Sequence, residues 1–173
     1  MNQIIIQYQK CSFGEIVVGS CNERLCLLDY RYRKMRNSVD KRLAKGLNAE
    51  IIEGINETNQ LAILQLEQYL NGEREYFDIP LQTIGTDFQQ SVWHALQEIP
   101  YGDTWSYAQL AEHLGAPNAV RAVASANGAN SIAVIIPCHR VIGSDGSLTG
   151  YAGGLPAKKK LLTLEQTDLF SAA

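Results

Sequence analysis

The chain has 173 residues, of which 46% are hydrophobic and 19% charged, a composition that fits one ordinary domain or two small ones and excludes a disordered chain. Its longest apolar runs, such as residues 132–136, are about a quarter of the ~20 residues that cross a bilayer, so we expect no membrane span. The formal net charge of −3 argues against a nucleic-acid partner, but no Asp or Glu occurs between His113 and Ser144, so one face can still be positive.

The first residues have no basic stretch followed by a long apolar segment, so we expect no secretory signal and a cytoplasmic protein. The four cysteines are Cys11, Cys21, Cys26 and Cys138. In a protein of this kind they are expected to be free thiols rather than a disulfide framework. No CxxC or CxxH pair occurs among the first three, so we expect no metal site.

The first half of the chain begins with three short runs rich in Ile, Val, Leu and Tyr, at residues 3–8, 15–20 and 24–30. Turn residues separate the runs, a pattern that predicts an antiparallel meander. Helical spacing follows over residues 39–47 and 57–70, and Asn71-Gly72 ends the second helix. The pattern places these apolar residues on one broad face of that helix: Leu61, Ile63, Leu64, Leu66 and Leu70. This half is therefore predicted to be α+β.

From residue 86 onward, the spacing of apolar residues predicts helices. Asp87 is a candidate N-cap, and apolar residues recur at three- and four-residue steps as far as Ile99, after which a proline stops the run. Ser106 can cap the next helix, Gly115 makes a turn, and Pro117 stands where a third helix would begin and run to about residue 127. Helix, glycine turn and helix together predict a helix-turn-helix.

A cysteine beside a histidine is the strongest chemical signal in the chain. The run 132–136 is typical of a buried strand, and Pro137 ends it, which places Cys138, His139 and Arg140 in a turn. An imidazole and a guanidinium next to a thiol favour the thiolate, which is the nucleophilic form. These residues alone leave an inert buried cysteine, a cysteine protease and an acyltransferase open as alternatives.

The run from Ile136 to Val141, Ile-Pro-Cys-His-Arg-Val, closely resembles the active-site motif of the methylated-DNA–protein-cysteine methyltransferases, also called O6-alkylguanine DNA alkyltransferases. The resemblance covers about residues 76–165, whereas the first 75 residues agree only in length and general character. Further blocks that resemble the family occur at residues 88–93, 99–102, 106–107, 121–123, 150–151 and 153–155.

The resemblance implies an α+β fold in two domains. An N-terminal ribonuclease H-like domain of sheet and helices would span residues 1–80. A helical, winged-helix-like domain with the helix-turn-helix would span residues 81–173.

The resemblance also implies the chemistry. An alkyl group passes once and irreversibly from O6-alkylguanine in DNA to Cys138, with O4-alkylthymine left open as a second substrate. His139 takes the thiol proton through a water, Glu165 polarises the imidazole, and Tyr107 stabilises the leaving oxygen. Asn130 holds the surrounding turn. No cofactor and no metal are needed, because the damaged DNA is itself the alkyl donor.

The implied partner is double-stranded DNA that carries O6-alkylguanine, bound through its minor groove by a monomer. Arg121 resembles the residue that fills the gap when the base is flipped out, although it could equally be an ordinary surface arginine. The other positions assigned to DNA contact are Ala119, Ala122, Ser125, Ala126 and Arg140. The alanines could instead indicate close core packing. A transcriptional regulator would be expected to carry longer polar side chains on this helix.

The substrate pocket is assigned to Val141, Tyr151, Ala152 and Gly153. Gly153 and Gly154 could also form only a turn. Ala152 stands where some members have Ser, and Ser131 where many have Pro, which leaves the range of accepted alkyl groups open. A non-enzymatic binder of alkylated bases is the competing class of protein, and the presence of Cys138 argues against it. A Cys-His hydrolase or acyltransferase would be expected to carry an oxyanion-hole signature, and the sequence has none.

Overall fold

The computed structural model describes the backbone of residues 1–171 and the side chains of residues 1–166. The chain divides into two compact units, Met1–Gly85 and Thr86–Ala173. Across the described residues, no helix is both long enough and apolar enough to cross a membrane.

The N-terminal unit is built on a four-stranded sheet in the order β3-β2-β1-β4. Strands β1 (Asn2–Cys11), β2 (Gly14–Cys21) and β3 (Arg24–Tyr30) form the predicted antiparallel meander. The sequence prediction missed β4 (Ala49–Glu53), which pairs in parallel with β1 through Ile4 and Ile51.

Two helices complete this unit, α1 (Arg36–Gly46) and α2 (Glu57–Leu70). The prediction that Leu61 and Leu64 belong to the core face of α2 is wrong, because they are 40% and 50% exposed. The helix contacts strands β1, β2 and β3 and buries only a narrow stripe at three- and four-residue spacing. The apolar members of that stripe are Ala62, Ile63, Leu66 and Tyr69.

The C-terminal unit begins with α3 (Asp87–Leu96), and its N-cap is Thr86 rather than the predicted Asp87. The Thr86 hydroxyl accepts from the Gln89 backbone N–H at 3.1 Å, and the Gln89 side chain accepts from the Thr86 N–H at 2.9 Å. This capping box satisfies two donors at once, which a single aspartate cap does not. Asp87 instead lies in the first turn, where its charge suits the positive end of the helix dipole.

The helix-turn-helix consists of α4 (Tyr107–His113) and α5 (Val120–Gly128), and it confirms the predicted fold class. Ser106 caps α4 as predicted, and Gly115 has a φ of +71°, which favours glycine in the turn. Pro117 does not begin α5 but lies in the turn before it. The short strands β5 (Trp105–Ser106) and β6 (Val141–Ile142) pair in parallel.

The predicted strand over residues 132–136 is wrong, because the segment is a series of buried turns. The Asn130 side chain accepts from the Ile132 N–H at 2.9 Å and donates to the carbonyl oxygens of Ile132 and Ile136 at 3.3 and 2.8 Å. These bonds satisfy backbone groups that a strand would pair with a neighbour. Within these turns Val134 has a φ of +70°, which is a strained value for a β-branched residue. The unit ends with α6 (Leu155–Ser171).

Candidate active site

Cys138, the predicted nucleophile, lies on a short 3-10 turn, Cys138–Arg140, which begins directly after Pro137 and is called the nucleophile turn below. Cys138 is 7% exposed, and its N–H donates to the Ile136 carbonyl at 2.8 Å. The same carbonyl accepts from the Asn130 amide at 2.8 Å, so Asn130 fixes the segment that presents the thiol. The structure therefore brings Asn130 and Cys138 together at one carbonyl group.

His139 and Glu165 form a buried pair beside the nucleophile. The His139 Nε2 and Glu165 Oε2 atoms are 2.9 Å apart, and the two side chains are 0% and 1% exposed. Burial lowers the pKa of His139, and the opposing effect of the hydrogen bond with Glu165 does not reverse the shift. The imidazole is therefore a neutral base at neutral pH. Because an ionised carboxylate can only accept, Nε2 carries the proton, and the lone pair of Nδ1 is available as the base.

Arg140 is held inside the protein by the same carboxylate. Its Nε and Nη2 atoms donate to the two Glu165 oxygens at 2.8 and 2.9 Å, and its Nη1 donates to the Ile99 carbonyl at 2.7 Å. Burial alone would raise the pKa of Glu165, but the hydrogen bonds from His139 and Arg140 outweigh it and lower that pKa to about 2. This geometry contradicts the DNA-binding role predicted for Arg140, because the guanidinium is committed to internal acceptors.

Tyr107 opens α4 close to a buried lysine that the sequence analysis overlooked. The Tyr107 hydroxyl donates to the Thr149 carbonyl at 3.4 Å, and the Lys158 ammonium donates to the same carbonyl at 2.8 Å and to that of Gly150 at 3.4 Å. Lys158 is 0% exposed, and its Nζ lies 6.0 Å from the centre of the Tyr107 ring. One feature of the sequence could have identified Lys158. It lies seven residues before Glu165, which places both side chains on one face of a helix.

Asn127 is a second residue that the sequence analysis overlooked. It is 5% exposed, and its amide Nδ2 donates to the Cys138 carbonyl at 3.5 Å. It belongs to the last turn of α5, so the second helix of the helix-turn-helix contacts the nucleophile turn directly.

The outward face of α5 carries one long side chain among small ones. Arg121, Ala122 and Ser125 are exposed, and Ala119 is partly exposed. Ala126 is 2% exposed, and its carbonyl accepts from the Trp93 indole N–H at 2.8 Å. The predicted DNA contact through Ala126 is therefore contradicted, because that position faces α3.

The residues assigned to the pocket lie on both sides of a glycine-containing loop. Val141 is fully buried, whereas Tyr151, Ala152 and Gly153 are partly exposed. Gly154, with a φ of +88°, allows the chain to turn into α6.

The remaining cysteines are free but have unreactive surroundings. Burial raises the pKa values of the Cys11 and Cys21 thiols and raises that of Cys26 to about 12. Within the part of the chain that the structure describes, no group of three His, Cys, Asp or Glu residues could hold a metal ion.

The fold and the site together define a protein with a buried cysteine next to a histidine–glutamate pair, in a unit that contains a helix-turn-helix. Comparisons agree with this class. The model of the family described as "6-O-methylguanine DNA methyltransferase, ribonuclease-like domain" matches residues 4–83. The model described as "6-O-methylguanine DNA methyltransferase, DNA binding domain" matches residues 87–167.

Curated relatives carry the corresponding name. The methylated-DNA–protein-cysteine methyltransferase of Methanosarcina barkeri is 59% identical over 108 residues, 62% of this chain and 68% of that protein. The one from Mycobacterium tuberculosis is 57% identical over 106 residues, 61% of this chain and 64% of that protein. The matched segments thus span about two thirds of the relatives' length.

Solved structures extend the similarity over nearly the whole chain. The crystal structure of Mycobacterium tuberculosis OGT in complex with DNA has a TM-score of 0.78 at 39% identity and covers 95% of this chain and 93% of that one. The O6-methylguanine-DNA methyltransferase from Pyrococcus kodakaraensis, at 21% identity and a TM-score of 0.71, supports the fold alone. The chain belongs to the methylated-DNA–protein-cysteine methyltransferase family.

Proposed function

We propose that this protein repairs DNA by moving an alkyl group from O6-alkylguanine onto its own Cys138, once for each molecule. One observation carries the proposal. Cys138 is followed in the chain by His139, a neutral imidazole base that is buried and paired with Glu165. The names of the relatives, which are methylated-DNA–protein-cysteine methyltransferases, agree with it.

The first step in this mechanism is the removal of the thiol proton. The Cys138 proton passes through a water to Nδ1 of His139, and the imidazolium that forms is stabilised by the ionised Glu165. The low pKa of Glu165 supports this role, because the carboxylate remains charged while the imidazole gains its proton. Asn130 keeps the turn in place during the transfer.

The second step is an in-line displacement. The thiolate electron pair forms a bond to the alkyl carbon, the bond from that carbon to the guanine oxygen breaks, and the oxygen keeps its electron pair. Tyr107 is suited to stabilise this oxygen, because its phenol can donate a hydrogen bond or a proton. The product thioether is stable, which makes the reaction stoichiometric, and the reaction needs no cofactor.

We further propose that α5 binds double-stranded DNA through the minor groove. Its outward face has small side chains at Ala119, Ala122 and Ser125, which permit close approach, and no acidic residue repels the phosphates. Arg121 is long enough to fill the gap left when the damaged base leaves the stack. The Mycobacterium tuberculosis structure was obtained in complex with DNA. We propose that the protein binds DNA as a monomer.

The flipped base would be read by backbone groups of Val141 and of Tyr151, Ala152 and Gly153. Ala152 has no side-chain hydroxyl, so any hydrogen bond to the substrate oxygen here must come from the backbone. All the residues proposed to act in the reaction fall in the predicted second domain, residues 81–173.

The experiment is an intact-mass measurement after incubation with a duplex that contains O6-methylguanine, followed by peptide mapping. We expect a gain of one methyl group, about 14 Da, on Cys138 and on no other cysteine. Cys138→Ala should show no gain while it still binds the duplex, and Cys26→Ala should react like the wild type. Tight binding of the duplex without any mass gain would instead establish a non-enzymatic recognition protein.

A further inference from the structure

Lys158 is a fully buried cation, and none of the described carboxylates is paired with it. Its ammonium donates to the carbonyl oxygens of Thr149 and Gly150, and its side chain is 0% exposed. Among residues 1–166, whose side chains the structure describes, no carboxylate forms an ion pair with Lys158. A buried charge of this kind is costly unless an opposite charge forms close to it.

Helix α6 directs two charged side chains into the site. Lys158 and Glu165 are seven residues apart, which places them on one face of the helix and about 10 Å apart along its axis. Glu165 faces His139 and Arg140, and Lys158 faces the loop that follows Ser147 and the ring of Tyr107. The nucleophile turn contacts α6 as well.

Lys158 also interacts electrostatically with the nucleophile. Burial lowers the pKa of Lys158, and attraction to Cys138 opposes that lowering. The same ammonium is one of the groups that help to lower the pKa of His139, after the larger effect of burial. The geometry agrees with these directions, because Lys158 is buried on the helix that contacts the Cys138–Arg140 turn.

Among the described side chains near Cys138, Lys158 carries a charge that no opposite charge balances. Arg140 and Glu165 form a bidentate pair that is neutral overall, and His139 is neutral at neutral pH. The net positive charge among these groups therefore comes from the ammonium of Lys158.

We infer that Lys158 is a positioning residue that holds a fixed positive charge beside Cys138 and so stabilises its thiolate. The inference rests on the proposed function, because it assigns a role within the same reaction. When His139 accepts the thiol proton, the ammonium and the thiolate form a neutral pair, and the carbonyls of Thr149 and Gly150 keep the ammonium in place.

The test measures how fast Cys138 reacts with iodoacetamide as a function of pH, with the modified peptide quantified by mass spectrometry. The thiolate carbon–sulfur bond forms as iodide leaves, so the rate reports the thiolate fraction without any DNA. We expect Lys158→Met to raise the midpoint of the pH–rate profile by about one unit, so that the rate below the midpoint falls about tenfold. Lys158→Arg keeps the charge, so its midpoint should lie close to that of the wild type.

Two further variants control for structure. Lys159→Met removes an exposed lysine from the next position of the same helix and should leave the midpoint unchanged. Lys158→Gln keeps a hydrogen-bond donor but no charge, and it replaces Lys158→Met if that variant does not fold. Folding is followed by the fluorescence of Trp93 and Trp105, which both lie in the C-terminal unit.

A midpoint that does not move in either uncharged variant overturns the inference, even if transfer from DNA has slowed, because a purely structural lysine would give that result. A midpoint that moves supports the role of Lys158 even in a protein that takes no methyl group from DNA. Failure of the inference and failure of the proposed function are therefore separate results.

Discussion

Among the described side chains, each unit of the molecule contains one buried carboxylate that accepts from arginine, and the two carboxylates differ in their other partners. In the N-terminal unit, Asp29 is 0% exposed and accepts from Arg33 at 3.1 Å and from Arg36 at 2.6 Å. In the C-terminal unit, Glu165 is 1% exposed and accepts from Arg140 and His139. The electrostatic design is shared, since a buried anion is neutralised by positively charged or hydrogen-bonding partners.

The difference is a titratable neighbour. Asp29 accepts from the Tyr30 N–H and from two guanidinium groups, which do not lose their protons, and Arg36 is also bound to Asp40. Glu165 instead accepts a hydrogen bond from the imidazole of His139, which can gain a proton and which follows Cys138 in the chain. A buried ion cluster therefore stabilises structure when its partners are fixed, and it supports chemistry when one partner can change charge beside a nucleophile.

The largest effect that separates the two sites should be on the rate of transfer. We expect Glu165→Gln to slow methyl transfer from a duplex about 100-fold, because the amide no longer stabilises the imidazolium as it forms. Asp29→Asn removes the matching charge from the other unit and should leave the rate of transfer by the folded protein within about twofold of wild type. Single-turnover kinetics on a methylated duplex measures both.

An equal loss in the two variants would break the comparison, because it would mean that Asp29 also acts on the reaction. A normal rate in Glu165→Gln would remove the carboxylate from the mechanism and leave it as a structural anchor for Arg140.

The sequence predicted well where a pattern is local. The β1–β3 meander, the bounds of α2 and the Ser106 cap each depend on residues that are close together in the chain. The Pro-Cys-His-Arg turn was likewise visible in four consecutive residues. Glu165, which lies 26 residues after His139, was reached only through the family resemblance.

The errors occurred where particular side-chain contacts, rather than the pattern of apolar residues, decide the structure. Residues 132–136 are apolar enough for a strand, but the Asn130 side chain satisfies their backbone groups in a turn instead. Arg140 was assigned to DNA contact as a positive charge in a stretch without acidic residues, and only the fold shows its carboxylate partner. Lys158 belongs to a run of three lysines, which is typical of a solvated helix face, yet tertiary packing buries the first of them.

A second effect is the pH dependence of stability in the C-terminal unit. The pKa of Glu165 is lowered from 4.5 to about 2. The contribution of Glu165 to the free energy of unfolding is therefore present above pH 4.5 and is lost as the pH falls toward 2. At 1.36 kcal/mol per unit, we expect a loss of about 2 kcal/mol between pH 5 and pH 3. The lowered pKa of His139 acts in the same direction, and its loss begins at higher pH, below 6.5.

Tryptophan fluorescence in urea titrations reports on this unit specifically, because both tryptophans of the chain, Trp93 and Trp105, belong to it. In Glu165→Gln the slope of stability against pH between 5 and 3 should be smaller, since the amide does not titrate. Parallel slopes for the two proteins would show that Glu165 is not the group that responds to acid.

The smallest effect should come from changing the shape of a cation without removing its charge. Arg140→Lys keeps a positive charge but loses the two-pronged contact with Glu165, so we expect transfer to slow about fivefold through looser support of His139. Arg33→Lys makes the same change at Asp29 and should leave transfer unaltered. Because the Arg140 guanidinium is bound to Glu165 and to the Ile99 carbonyl, neither change should alter the affinity for an undamaged duplex, measured by fluorescence anisotropy. A loss of duplex affinity in Arg140→Lys alone would show that this arginine reaches DNA, and the Glu165 cluster would then belong to the binding surface as well as to the reaction.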